Sequence, residues 1–321
     1  MTRLTRKFRP SLDAAAWQHG GAALARRGGV AYHAGMSRIA YVNGRYVPLP
    51  HASVHVEDRG YQFADGIYEV IYRHRGRLID RDLHLARLDR SLRELRIAAP
   101  MSHASLLAVL EEVARRNRLE TGLIYMQVTR GVAPRLHPFP PPGTKPSLVV
   151  TMRRAAPFPS SIDTWHANAV TLPDQRWARC DIKSVALLPN VLAKQAAREA
   201  GAYEAWLVDG DGLVTEGAST NAWIVDAKGA LRTRDTGANI LRGVTRATLI
   251  ELAHEIQMPV DERPFTLDEA KGAREAFLTA ASAFVTPIVS IDGGAVGDGR
   301  PGPVVRRLRA LYLDHARRNA W

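Results

Sequence analysis

Two stretches decide how this chain is read: Arg179-Cys180-Asp181-Ile182-Lys183-Ser184-Val185-Ala186-Leu187-Leu188 and, 33 residues beyond its lysine, Thr215-Glu216-Gly217-Ala218-Ser219-Thr220-Asn221. Lys183 stands in an apolar frame, with Ile182 before it and Val185 to Leu188 after it. Burying an ammonium is costly. Such a lysine is either a side chain whose stem packs while its head reaches water, or an amine set up for imine chemistry, which must shed its proton. Glu216 alone reads as a carboxylate between a strand and a turn. Together the two supply what pyridoxal phosphate needs: a lysine to form the imine, and a carboxylate to keep the pyridine nitrogen protonated and electron-withdrawing.

A phosphate-bearing cofactor also needs an anion site. Leu241-Arg242-Gly243-Val244-Thr245-Arg246 precedes a helical pattern, and free amides at a helix start can cradle a phosphate together with the Thr245 hydroxyl. Taken singly, Thr245 is an N-cap, and Arg87 in His84-Leu85-Ala86-Arg87-Leu88 is a solvated helix arginine. Between two strand-like runs, the proline-rich loop Pro134 to Pro146 holds Arg135 and His137. Proline stiffens such a loop, so it presents these groups at little entropic cost; an ordinary solvated loop would have the same composition.

Outward from these stretches, Asn43-Gly44 between Ile39 and Val47 predicts a hairpin. Strands are predicted over Gly66 to Tyr72 and Arg77 to Ile79. Leu85, Leu88, Leu92 and Leu95 are spaced as on a helix, and Ser102 or Ser105 caps a second helix reaching Asn117. Further strands are predicted over Leu123 to Arg130, Ser147 to Met152, Ala205 to Val208, Ala222 to Val225, Glu275 to Thr279 and Pro287 to Ile291. Helices are predicted over Val191 to Ala200 and Thr245 to Ile256. There is no regular βαβ repeat, so the fold class is α+β with mixed sheets.

A chain of 321 residues with 46% hydrophobic content can bury a sizeable core, and at ordinary domain sizes it divides into about two domains. The expected parts are a basic extension over 1–35, a smaller α/β domain over 36–156 and a larger domain over 157–321, with the boundary near Pro157-Phe158-Pro159. No run approaches the roughly 18 apolar residues of a membrane span. The lone Cys180 excludes an intramolecular disulfide and a cysteine-based metal site, and a cytoplasmic location is expected. The net charge of +12 includes a local +5 over residues 1–35, and the C-terminal Arg306, Arg307, Arg309 and Arg317 are spaced as on a solvated helix face. No aromatic-interleaved basic motif accompanies them, so no nucleic-acid partner is expected. His51 and His55 lie in a segment unsuited to a helix, and Asp209-Gly210-Asp211-Gly212 lacks the later glutamate of a calcium loop, so no metal is expected.

The blocks Glu57 to Phe63 with Asp65 to Val70, Gln127 to Gly131, Arg135 to Pro140, the lysine block, Ala193-Lys194-Gln195, Thr215-Glu216-Gly217 and Gly243 to Arg246 occur in family order over roughly residues 38 to 318. In them the chain resembles the class IV, or fold-type IV, pyridoxal-phosphate aminotransferases, and among these the branch acting on D-amino acids such as D-alanine. The resemblance implies a smaller N-terminal α/β domain, a larger C-terminal domain on a barrel-like sheet, and pyridoxal 5'-phosphate held between them in a homodimer. It further implies that Lys183 is the Schiff-base lysine and Glu216 the partner of the pyridine nitrogen. Arg87, Val244 and Thr245 are implied as phosphate ligands, with Leu241 near the cofactor ring. Tyr68, Arg135 and His137 are implied as the trap for the substrate carboxylate, on a loop that can reach the neighbouring subunit's site. The reaction implied is ping-pong transamination between a D-amino acid and a 2-oxo acid, 2-oxoglutarate or pyruvate. Branched-chain L-amino-acid aminotransferases and 4-amino-4-deoxychorismate lyases share the fold, but the Arg135-x-His137 pair favours the D-amino-acid branch. One stretch departs: Ala280 and Ala281 stand where that branch commonly carries hydroxyls, so phosphate binding is expected to lean on Arg87 and Thr245.

Overall fold

In the computed structural model the described residues are 38–155 and 161–318. The basic extension and the Pro157-Phe158-Pro159 boundary lie outside them. Asn43 and Gly44 both take positive φ, 45° and 92°, as a two-residue turn matched to strand twist requires. They join β1 (Ile39–Val42) to β2 (Arg45–Pro48). A one-turn helix, α1 (Arg59–Phe63), is N-capped by Asp58 and leads into β3 (Gly66–His74) and β4 (Arg77–Leu78). Helices α2 (Arg81–Glu94) and α3 (His103–Asn117) follow, and the Ser102 side chain caps α3 by accepting from the Ser105 amide. With β5 (Gly122–Thr129) and β6 (Ser147–Arg153) the strands form a six-stranded antiparallel sheet ordered β2-β1-β6-β5-β3-β4.

Side chains alternate across this sheet. Ile67, Ile71, Ile124, Met126, Val150 and Met152 pack in one core with the leucines of α2 and α3. The opposite phase, including Tyr68, Val70, Leu123 and Arg153, is left for the functional cavity.

The second sheet is built from β7 (Ala167–Pro173), helix α4 (Leu188–Glu199), β8 (Glu204–Val208), β9 (Val214–Gly217), β10 (Asn221–Val225) and β11 (Leu231–Thr233). Then come α5 (Val244–Glu255), β12 (Val260–Glu262), α6 (Leu267–Lys271), β13 (Glu275–Ala280), β14 (Phe284–Ile291), β15 (Gly294–Ala295) and α7 (Pro303–Arg318). Its order is β12-β11-β10-β13-β14-β7-β8-β9, with β15 on β14. It is a mixed, curled half-barrel: β7 runs parallel to both β14 and β8, and β11 parallel to β12. The α+β expectation holds.

The C-terminal helix corrects one expectation. Arg309 is not on a solvated face: it is 4% exposed and donates to the Val285 carbonyl at 2.6 Å. Val305, Leu308, Tyr312 and Ala316 bury the same face of α7 in the core with Phe277 and Val285. The arginine spacing marked the helix, but the apolar stripe decides which side is covered.

Candidate active site

The lysine segment is stitched to the start of β3. The Tyr68 amide donates to the Lys183 carbonyl at 3.0 Å, the Val185 amide donates to the Gly66 carbonyl at 3.0 Å, and Ile67 bridges to Ser184. This pairing places the Lys183 amine over the Tyr68 ring, 4.2 Å from its centroid. It lines a cavity of about 270 Å³ walled by Tyr68, Arg87, Glu216, Leu241, Val244 and Thr245 as well.

Glu216 is the penultimate residue of β9 and is buried. Its carboxylate accepts from the Asn221 amide nitrogen at 2.8 Å and from the Leu241 backbone amide at 3.1 Å, and pairs with Arg176. Burial pushes the carboxyl up to about 7, although the Arg176 guanidinium draws it back. Arg176 also donates to Asp174 at 2.9 and 2.7 Å, so one guanidinium is shared by two carboxylates. Desolvation opposes its charge, but these carboxylates raise its pKa on balance.

Arg87, on α2, donates twice to Glu69, at 2.7 and 2.8 Å, and once to the Arg242 carbonyl at 3.1 Å. Glu69 is fully buried and also meets His84 Nδ1 at 2.8 Å. Burial would raise its carboxyl, but Arg87 and His84 hold it well below the ordinary range. Burial lowers the His84 imidazole despite Glu69. A neutral His84 then donates from Nδ1 to the carboxylate. The guanidinium is thereby fixed beside the start of α5.

That start has Gly243 as N-cap and no side-chain cap. Its first-turn amides point outward without intrahelical partners. Asn221 donates to the Leu241 carbonyl at 3.0 Å and fixes the approach to the helix, and a methyl on Gly243 would collide with the Asn221 carbonyl oxygen. Thr245 is not the N-cap; it sits inside the first turn, its hydroxyl 3.5 Å from Tyr312 Oη. The Thr220 hydroxyl is buried against the cavity with no partner in the protein. Outward amides, a free amine, an orphaned hydroxyl and a buried carboxylate fit a ligand carrying a phosphate, a carbonyl and a basic ring nitrogen.

Arg135 and His137 are not brought to this cavity within the chain. Both are exposed on the loop after β5. Arg59 fixes that loop by donating to the Leu136 carbonyl at 2.6 Å and the His137 carbonyl at 3.3 Å. Phe63 lies beside both side chains, 5.4 Å from the His137 ring and 5.1 Å from the Arg135 guanidinium. Ala280 and Ala281 do line the cavity.

Arg176, His84, Asn221, Thr220 and Arg153 also line it, and sequence reasoning did not single them out. Arg176 falls seven residues before Lys183 in a segment that is neither helix nor strand, so no periodicity relates the two. Only the folding of β9 against its segment gives it meaning.

Comparison with known proteins adds the following. Residues 66–291 match the family described as amino-transferase class IV. A D-alanine aminotransferase of Bacillus licheniformis is 40% identical over 267 residues, 83% of this chain and 93% of that protein. One of Staphylococcus haemolyticus is 41% identical over 271 residues, 84% and 94% of the two chains. Among solved structures, the Escherichia coli branched-chain amino acid aminotransferase superposes with a TM-score of 0.79 at 24% identity, covering 87% of this chain and 94% of that one. The branched-chain amino acid aminotransferase from Thermobaculum terrenum, in its PLP-form, gives 0.74 at 26% identity, covering 87% and 93%.

Proposed function

The chain belongs to the class IV amino-transferase family, and on that footing we propose that it is a pyridoxal-phosphate-dependent D-amino-acid aminotransferase, exchanging the amino group between a D-amino acid such as D-alanine and a 2-oxo acid, pyruvate or 2-oxoglutarate. One observation carries this reading: the Lys183 amine and the Glu216 carboxylate line a single cavity whose wall includes the uncapped start of α5. The relatives at about 40% identity are D-alanine aminotransferases, whereas the branched-chain enzymes are likened through fold at 24 to 26%.

Thr245, Val244 and the first-turn amides of α5 would hold the phosphate, with Arg87 beside them, and Leu241 would lie near the ring. When bound, the cofactor supplies a carbonyl for the amino group and a ring that takes up electron density from the substrate carbon. Glu216 would hold the proton on the ring nitrogen, and Arg176, Asn221 and the Leu241 amide hold Glu216. Lys183 would hold the cofactor through its amine at rest, and that amine, once freed, would take the substrate's α-proton and return it during amino transfer. Tyr68, Arg135 and His137 grip the α-carboxylate, which fixes the face presented to Lys183.

Arg135 and His137 are exposed and do not line their own chain's cavity, so the grip requires a homodimer in which each loop serves the neighbour. Exposed apolar side chains support this assembly: Leu188, Val191 and Leu192 form a stripe on α4, Tyr61 is exposed on α1 and Leu136 within the loop itself. The division near residue 156 belongs to the same reading, supported by the change of sheet there, as does a cytoplasmic location, supported by the single cysteine. No helix among the described residues is long and apolar enough to cross a membrane.

Lys183→Ala tests the assignment directly. The purified variant should lose both the visible band of the bound cofactor and all transamination, with its circular dichroism unchanged. Retained turnover would end the assignment. Faster turnover of L-leucine than of any D-amino acid, or pyruvate release from aminodeoxychorismate, would move the chain to the other branches of the fold.

A further inference from the structure

Among the described residues, four cationic side chains line the cavity: Arg87, Arg153, Arg176 and Lys183. Arg87 is committed to Glu69, and Arg176 to Asp174 and Glu216. Lys183 is the amine of the reaction. Arg153 is left, and among the described residues no carboxylate or other acceptor meets its guanidinium. It ends β6, pairs across the sheet with Leu123 of β5, and lies in the same alternation phase as Tyr68 and Val70. The side chain is exposed at the cavity rim, and small residues, Ala280, Ala281 and Ser282, also line the cavity. A guanidinium without a partner at the edge of a binding cavity suits a carboxylate, which it can meet with two parallel hydrogen bonds.

We infer that Arg153 is a specificity-determining residue that receives the side-chain carboxylate of dicarboxylic substrates, namely D-glutamate or D-aspartate as donor and 2-oxoglutarate as acceptor. This rests on the aminotransferase reading, in which the α-carboxylate is already taken by Tyr68, Arg135 and His137, so a second carboxylate needs a second cation. The cofactor phosphate does not compete for Arg153: its site is the start of α5, where Arg87 is anchored to the Arg242 carbonyl. Monocarboxylic substrates such as D-alanine fit without using Arg153.

The test uses the full-length protein loaded with pyridoxal phosphate, as wild type, Arg153→Gln and Arg153→Lys. Turnover is measured for D-glutamate with pyruvate and for D-alanine with 2-oxobutyrate; glutarate and butyrate binding is followed by the change they cause in the visible band. Arg153→Gln should lower kcat/KM for D-glutamate and weaken glutarate binding roughly ten- to hundredfold. D-Alanine turnover and butyrate binding should change by less than about threefold, the range of a contact not made. Arg153→Lys should recover part of the loss, because it keeps the charge and loses the fork. An unchanged preference for glutarate over butyrate overturns the inference. So does an equal loss for both substrates, or weaker cofactor binding in Arg153→Gln, which would make Arg153 a phosphate residue. A wild type that turns over no D-amino acid removes the underlying reading instead, and the glutarate-to-butyrate ratio still decides the role of Arg153.

Discussion

Glu216 is 5% exposed, and burial sets its carboxyl at about 7 against an ordinary 4.5, although Arg176 pulls the other way. A carboxyl raised in the folded state stabilises that state when protonated. Its contribution is therefore fully present below about 4.5 and is lost as pH rises through about 7. The shift corresponds to about 3 kcal/mol. In the cofactor-free protein, the Tm of wild type should fall relative to that of Glu216→Gln between pH 5 and pH 8. Parallel Tm curves for the two proteins would show that Glu216 does not titrate in this window. Lys183 and Glu216, which line one cavity, could be singled out in the sequence because the proposed chemistry demands those residue types. Arg176 and Glu69 were not: Arg176 sits in an aperiodic turn, and Glu69 occupies an inward position of β3 where alternation favours an apolar side chain. Their roles come from partners distant in sequence, Glu216 and Arg87.

At the scale of elements, the long amphipathic helices α2 and α3 and the paired strands β3, β5 and β6 stood out, because periodicity accumulates over many residues. β11 and β12, three residues each, are too short to carry a period, and their parallel pairing exists only in the fold. Composition placed the loop after β5 between strands and left its direction open. The structure shows what directs it. Gly131 closes its base at φ 101°, where an added methyl would strike the Lys145 carbonyl. Arg59 holds the Leu136 and His137 carbonyls, and the Phe139 ring lies 3.7 Å from the Arg130 guanidinium and 4.7 Å from that of Arg96. Gly131→Ala combines positive φ with a backbone collision, so it should cost about 1–3 kcal/mol of stability. Because the loop carries Arg135 and His137, the KM for D-alanine should rise several-fold while the cofactor's visible band keeps its position. An unchanged KM in a destabilised protein would separate loop geometry from substrate binding.

For the whole molecule, the decisive question is which cavity each loop serves. Two cavity residues, Lys183 and Glu216, come from the second sheet and its connections, yet Arg135 and His137 leave the first sheet facing solvent. If each loop completes the neighbour's site, two inactive proteins should rescue each other. Lys183→Ala lacks the amine but offers an intact loop; Arg135→Ala keeps the amine but offers a defective one. In a mixed dimer, the cavity of the Arg135→Ala chain receives the intact loop of the Lys183→Ala chain and regains both parts. Random exchange makes about half the dimers mixed, each with one working site of two, so activity should return to about a quarter of wild type. Mixing should be done by co-expression or after dissociation and reassembly, and turnover of D-alanine compared with that of either variant alone. Recovery well above both variants requires the exchanged loop. No recovery, with mixed dimers demonstrated by differently tagged chains, would mean that each loop folds back onto its own cavity and that the carboxylate is gripped within one chain.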